Sequence, residues 1–477
     1  MLNIIAEPGR RRAKHDHVVR HIERRISEGV YRPGDRVPSV REMARILGVA
    51  VATVVDAYDT LESQGALAAK PKAGYFVQLK AKAATRRLSQ PEITPHSLEG
   101  DALFLNILRQ AARPGVVQLA TADPSMDVLP RAQLARALRQ AARTFPDEAI
   151  GYDMVPGWRP LREQIARRAQ ALNCSLNPDE IVTTAGCSEA LSLALRAVCK
   201  PGDIVAVESP GYYGVLEALR LHGLRVLEIP TDSVNGICLD ALREALEKHA
   251  IRAILLTPNY SNPLGSLMPD EAKREVAQIA SERQIPVIED DVYGDLSFDG
   301  SRPMVIKSFD EEGWVLHCSS VSKTIAPGYR VGWVAGGRFH NQVASLKFAS
   351  SCSTATLPQM AVADFFQYRR FMHSVRAAAR QYEENIRAMQ QAVRESFPSG
   401  SEIGSPQGGF VLWVEMPECC DSLQLYSRAA KHGINFMPGP AFSAQRRYRS
   451  SLRLNASRWD RNVEAAVRQI GELACAS

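Results

Sequence analysis

The chain has 477 residues, 45% hydrophobic and 23% charged, the balance of a soluble globular protein too long for one ordinary core. No run approaches ~18 consecutive apolar residues, which argues against a membrane span, and the start MLNIIAEPGRRRAKHDH lacks the cleavage site of a secretory signal. The net charge of +6 is confined to residues 1–100, with 17 Lys/Arg against 11 Asp/Glu, while the remainder carries 41 of each. An anionic partner is therefore expected for the N-terminal part only, although a solvated basic tail would give the same count. The nine cysteines include no CxxC pair, so neither zinc nor a disulfide framework is indicated. Cys419 and Cys420 are adjacent, too close for ordinary bridging. Reduced thiols in a cytoplasmic protein are expected.

Three helices are predicted within residues 14–65. The first carries Val18, Ile22 and Ile26 on one face. A Pro-Gly turn at 31–35 follows. Ser39 to Glu42 then form a capping box opening a second helix that stops at Gly48, and a third runs from near Ala50 to Gly65. Residues 66–70 and 75–79 read as a short hairpin. Helix, helix, helix and hairpin is the layout of a winged helix-turn-helix, whose third helix enters a major groove; a generic three-helix bundle is the plainer alternative. The expected boundaries are 10–79 for this DNA-binding domain and 80–100 for a linker. Residues 101–477 then form an α/β domain, its large part at about 150–350 and its small part from 101–149 and 351–477. In the large part, apolar runs alternate with helical segments, which predicts a mostly parallel sheet covered on both faces.

Chemistry-bearing residues lie where those runs end. AGCSEA at 185–190 joins a strand to a helix, so Gly186, Cys187 and Ser188 could present free amides to a phosphate; such a turn alone is weak evidence. SPGY at 209–212 offers Tyr212 for ring stacking, and PNYSNPLG at 258–265 offers Asn262. Taken alone, each is a plain turn. IEDDVY at 288–293 supplies Asp290 and Tyr293. Two neighbouring carboxylates could also suit a metal, but no histidine or oxygen-rich set accompanies them. SSVSKTIAPGYRVG at 319–332 follows a strand and places Lys323 among hydroxyls, with Ser320, Ser322 and Arg330 beside it. Arg453 in LRLN at 452–455 could fork onto a carboxylate, or simply form a structural ion pair.

Pyridoxal 5′-phosphate needs this set: a lysine for its Schiff base, an acid at the pyridine nitrogen, donors to O3′, a phosphate cradle and a stacking ring. Lys323, Asp290, Tyr293 with Asn262, the 186–188 turn with Ser320, Ser322 and Arg330, and Tyr212 are the candidates in that order. No metal is expected.

Over residues 100–477 the pattern resembles the fold-type I aminotransferases, with Tyr152, Gly157, Leu161-Arg162, Gly408-Gly409, Trp413, Pro438-Gly439 and Phe442 as further landmarks. The resemblance implies that Tyr152 reaches the phosphate of a neighbouring subunit, hence a homodimer, and that Arg453 meets a substrate or effector carboxylate. Leu264 stands where many relatives have Thr. The first 80 residues resemble the GntR-type winged helix through PGDRVPSVREMARILGV, TVVDAYDTLESQG and PKAGYFV. That likeness implies DNA contacts by Ser39, Arg41, Thr53, Lys72 and Gly74. The third helix departs from it, opening on Ala50-Val51 where relatives have Ser/Thr-Arg; Val51 offers only apolar contact, for example to a thymine methyl. The fusion resembles the MocR-type regulators. It implies a DNA-binding, pyridoxal-phosphate-dependent transcriptional regulator that senses the cofactor or an amino-acid-like effector through Lys323. A working aminotransferase with an accessory N-terminal domain is the alternative, and a large domain that only dimerises is a third reading.

Overall fold

A computed structural model describes residues 8–27, 30–31, 35–63, 66–70, 74–77, 90–98, 102–111, 113–367 and 370–475. The Pro-Gly turn at 32–34, Lys72 and most of the expected linker lie outside these residues. The chain divides into two compact units, Met1–Thr85 and Arg86–Ser477.

The first unit contains α1 (Pro8–Ser27), α2 (Val40–Leu47) and α3 (Val51–Ser63), then β1 (Leu67–Lys70) paired antiparallel with β2 (Gly74–Val77). Ser39 starts α2 by accepting from the Glu42 amide at 3.3 Å. Gly48 closes the helix in the left-handed conformation. Val18 and Ile22 of α1, Met43 of α2, Val54, Tyr58 and Leu61 of α3 and Leu67 of β1 form one core. Tyr58 is buried with them because its hydroxyl donates to the Pro38 carbonyl at 2.7 Å. This is the winged-helix layout expected from the sequence.

The second unit is built on a nine-stranded sheet. Its main path runs His96–Ser97, Arg225–Asp232, Ile204–Ser209, Ile251–Leu256, Val287–Asp290, Val315–Ser320, Gly332–Ala335 and Ile181–Thr184. From Arg225–Asp232 to Val315–Ser320 all neighbours are parallel; Gly332–Ala335 runs antiparallel to both its neighbours. The parallel strands read as continuous apolar runs because helices cover both faces. A five-stranded, mostly antiparallel sheet holds the smaller core, with Trp413, Phe436, Leu452 and Leu454 inside it.

The subdivision differs from expectation in one respect. Helices Arg131–Thr144 and Thr356–Gln367 pack against each other and bury Leu134, Val362 and Phe366 in the large-sheet core. Sequence position alone assigns them to the small part. Their apolar faces match the large sheet's helical layer instead, and only Val117–Leu119 of the 101–149 stretch joins the small sheet. No helix among the described residues is long and apolar enough to cross a membrane.

Candidate cofactor site

Parallel strands present their carboxyl ends to one crevice, the usual ligand position in such sheets. One pocket there is lined by Cys187, Ser188, Tyr212, Asn262, Asp290, Tyr293, Ser320, Ser322, Lys323 and Arg330. Residues separated by as much as 143 positions in the sequence thus meet as expected. Leu191, Thr257 and Val292 complete the lining and carried no sequence signal of their own.

At one end, helix Cys187–Val198 points its first amides into the pocket, with Gly186 as its N-cap at φ +85. Arg330 donates to Ser322 Oγ at 3.3 Å and to the Ala185 carbonyl at 3.0 Å. A Cβ added at Gly186 would lie 2.2 Å from the Arg330 guanidinium. Glu189, which sequence reading passed over, holds the turn by accepting from the Ala185 amide at 2.6 Å and from Lys347 at 2.8 Å. A Gly186→Ala variant is therefore expected to bind the cofactor about tenfold more weakly, from left-handed strain and displacement of Arg330. Equilibrium titration of cofactor fluorescence measures it, and unchanged affinity would remove Arg330 from the phosphate end.

The three carboxylates of 289–291 take three directions. Glu289 is fully buried and accepts from the Ile306 and Lys307 amides at 2.7 and 3.0 Å. Asp291 pairs with Arg302 and with His317 at 3.1 Å and accepts from Asn259 at 3.0 Å. Burial opposes its ionisation, but Arg302 and His317 hold its pKa well below the usual range. Of the three, Asp290 lines the pocket, where it accepts a 3.4 Å hydrogen bond from Cys187 Sγ. Burial pushes its pKa up to about 7, with the neighbouring Asp291 adding to the rise. Among the described residues no cluster is arranged to hold a metal ion.

Lys323 Nζ donates to the Ala122 carbonyl at 2.6 Å. Burial draws its pKa below the ordinary lysine value, against the attraction of Asp123. Arg453, fully buried, donates to Asn262 Oδ1 at 3.4 Å and to the Ala120 carbonyl. Asn455 donates to the Thr121 and Asp123 carbonyls at 2.7 and 2.9 Å. One strip, 120–123, therefore supports the amine, the guanidinium and the amide together.

Among the buried donors of the described residues that lack a hydrogen-bond partner are Tyr293 Oη, in the pocket lining, and Arg453 Nε, on the side chain that meets Asn262. Such orphans are costly unless a ligand completes them. With a helix start, Arg330, Ser320 and Ser322, the Tyr212 ring and the buried Asp290 acid all lining one pocket with Lys323, the residues present fit pyridoxal 5′-phosphate. Tyr152 stands apart, 82% exposed and outside the pocket.

In the winged helix, Ser39 and Arg41 are exposed, while Gly74 lies under the Arg36 side chain at φ +99. Thr53 corrects the expectation: it is buried on the core side of α3, beside Val54 and one turn from Ala57, so its side chain does not face outward. Helical periodicity puts Val51, Ala52 and Val55 outward instead.

Residues 114–470 match the aminotransferase class I and II family, and residues 14–77 match the gntR family of bacterial regulatory proteins. The chain is 40% identical over 461 residues to the uncharacterized HTH-type transcriptional regulator YjiR of Escherichia coli K12, covering 96% of this chain and 98% of that one. It is 35% identical to YdcR of the same strain, another uncharacterized HTH-type transcriptional regulator, with the same coverage. The fold is similar to the crystal structure of LysN, the α-aminoadipate aminotransferase of Thermus thermophilus, complexed with N-(5′-phosphopyridoxyl)-L-leucine. That likeness has a TM-score of 0.72 and 29% identity, and covers 78% of this chain and 94% of that one. The aminotransferase class I and II fold implies pyridoxal 5′-phosphate as the cofactor. The chain belongs to the GntR-type HTH transcriptional regulators that carry a fused aminotransferase class I and II domain, the MocR-type architecture.

Proposed function

We propose that this regulator senses pyridoxal phosphate or an amino-acid-like effector at the Lys323 pocket and couples that state to operator binding by the winged helix. The observation that carries the reading is one pocket lined by the candidate cofactor residues on the same chain as a winged helix. When bound, the cofactor supplies an aldehyde that condenses with primary amines. Arg330, Ser320, Ser322 and the first amides of helix Cys187–Val198 would hold its phosphate. Asp290 would face the pyridine nitrogen, Tyr293 and Asn262 the phenolic oxygen, and Tyr212 the ring face. Lys323, its proton affinity reduced by burial, supplies the chain's own amine. An effector amine would compete with it, and Arg453 would receive the effector's carboxylate.

Tyr152, with Ile150 at 89% exposed and Met154 also exposed, forms an apolar edge that suits a homodimer in which Tyr152 completes the other subunit's phosphate site. A cytoplasmic location follows from the regulator reading.

The test is retardation of the gene's own upstream duplex by the full-length protein. Binding is expected to weaken steeply with salt and to change at least severalfold when the cofactor and an amino acid are added. Absence of retardation at low salt would overturn the reading. The same pocket also favours a second reading, a working aminotransferase; steady turnover of an amino acid with a keto acid would establish that instead.

A further inference from the structure

We propose that α3 reads its operator through thymine methyl groups, with Val51 and Val55 as the specificity-determining side chains. This rests on the DNA-binding reading and adds what the helix can recognise.

On its first two turns α3 turns Val51, Ala52, Val55 and Asp56 outward. Val51 and Val55 are 47% and 37% exposed and lie one turn apart on one face. Farther along the helix, the exposed acidic residues are engaged with the hairpin: Asp59 accepts from Tyr75 Oη at 3.3 Å and Glu62 from the Ala69 amide at 2.8 Å. The leading face thus holds no arginine, lysine, asparagine or glutamine. The bidentate pairings that identify guanine or adenine in a major groove cannot be made from it. The groove offers one apolar group, the thymine C5-methyl, and a pair of valines at helical spacing is the complementary surface.

Charge complementarity commits the face to DNA rather than to another apolar partner. Arg41 and Arg45 are exposed on α2, the helix that crosses the backbone in this motif, and exposed Arg36 extends over Gly74 of β2. Arginines flanking an apolar strip suit phosphates on either side of a groove floor. The whole net charge of the chain lies in this N-terminal part. Affinity then comes from the arginines and sequence preference from the valines.

The experiment selects a site from a random duplex library with the full-length protein. The selected site is then resynthesised with uracil replacing thymine, one position at a time, which removes only the methyl. Burying one methyl is worth about fourfold in affinity, so one or two thymines per half-site should each cost about fourfold on conversion to uracil. Val51→Ala and Val55→Ala should each be insensitive at one of those positions while keeping the wild-type salt dependence. A selected site that tolerates uracil everywhere overturns the proposal and leaves DNA binding standing. Uracil sensitivity unchanged in both variants overturns the assignment to these valines. Failure to enrich any sequence, with no duplex retained at low salt, overturns the DNA-binding reading itself.

Discussion

Lys323→Ala is expected to retain no covalently bound cofactor. After borohydride reduction and digestion, wild-type protein should yield a pyridoxyl-labelled peptide containing Lys323, and the variant should yield label at background. The loss should be essentially complete because Lys323 is the only lysine lining the pocket among the described residues. Its Nζ rests on the Ala122 carbonyl, and burial favours the neutral amine that reacts with an aldehyde. Label on another lysine in wild-type protein would defeat the assignment. Wild-type protein that takes up no label would defeat the cofactor site altogether.

The second large effect concerns Asp290. In the cofactor-free protein, burial raises its pKa from 3.8 to about 7. The fold therefore prefers the protonated acid. That preference is fully available below about pH 4 and is lost as pH rises through 7. The gap amounts to ~4 kcal/mol at full ionisation, an upper figure that relaxation and water entry reduce. Asp290→Asn removes the titration, so the cofactor-free variant should be more stable than wild type by about 2 kcal/mol at pH 8 and equal to it at pH 4. With saturating cofactor at pH 8 the order should reverse, because the carboxylate would then face the ring nitrogen and the amide cannot keep it protonated. Urea melts at the two pH values, with and without cofactor, test both halves. A variant that gains nothing at pH 8 and binds the cofactor as tightly as wild type would remove Asp290 from that role.

The pocket was more legible than its surroundings. Lys323 sits in a local motif in which hydroxyls and Arg330 lie within eight residues, so one stretch carries both the amine and part of the phosphate cradle. The roles of Glu289 and Asp291 could not be read locally, because their partners come from Ile306, Lys307, Arg302 and His317. Nor could Lys347 be linked to Glu189 across 158 positions. In the winged helix the order of elements was readable from capping and periodicity. The assignment of Thr53 failed because resemblance alone carried it, and the helix's buried face, which includes Val54, Ala57 and Tyr58, claims that side chain. The helices at 131–144 and 356–367 show the same lesson for the α/β unit. Chain position suggested the smaller part, while the apolar partner available to their buried faces was the larger core.

The strip at 120–123 has a thermodynamic consequence. It is a shared resting place: Lys323 comes to it from the large sheet, Arg453 and Asn455 from the small one. A ligand that draws the amine or the guanidinium away leaves main-chain oxygens needing new partners, and the strip must then resettle or take up water. Its preferred conformation and the ligand's affinity are consequently linked quantities, each shifting the other by the same factor. A substitution at 120–123 that touches no ligand should therefore change ligand affinity as surely as one inside the pocket.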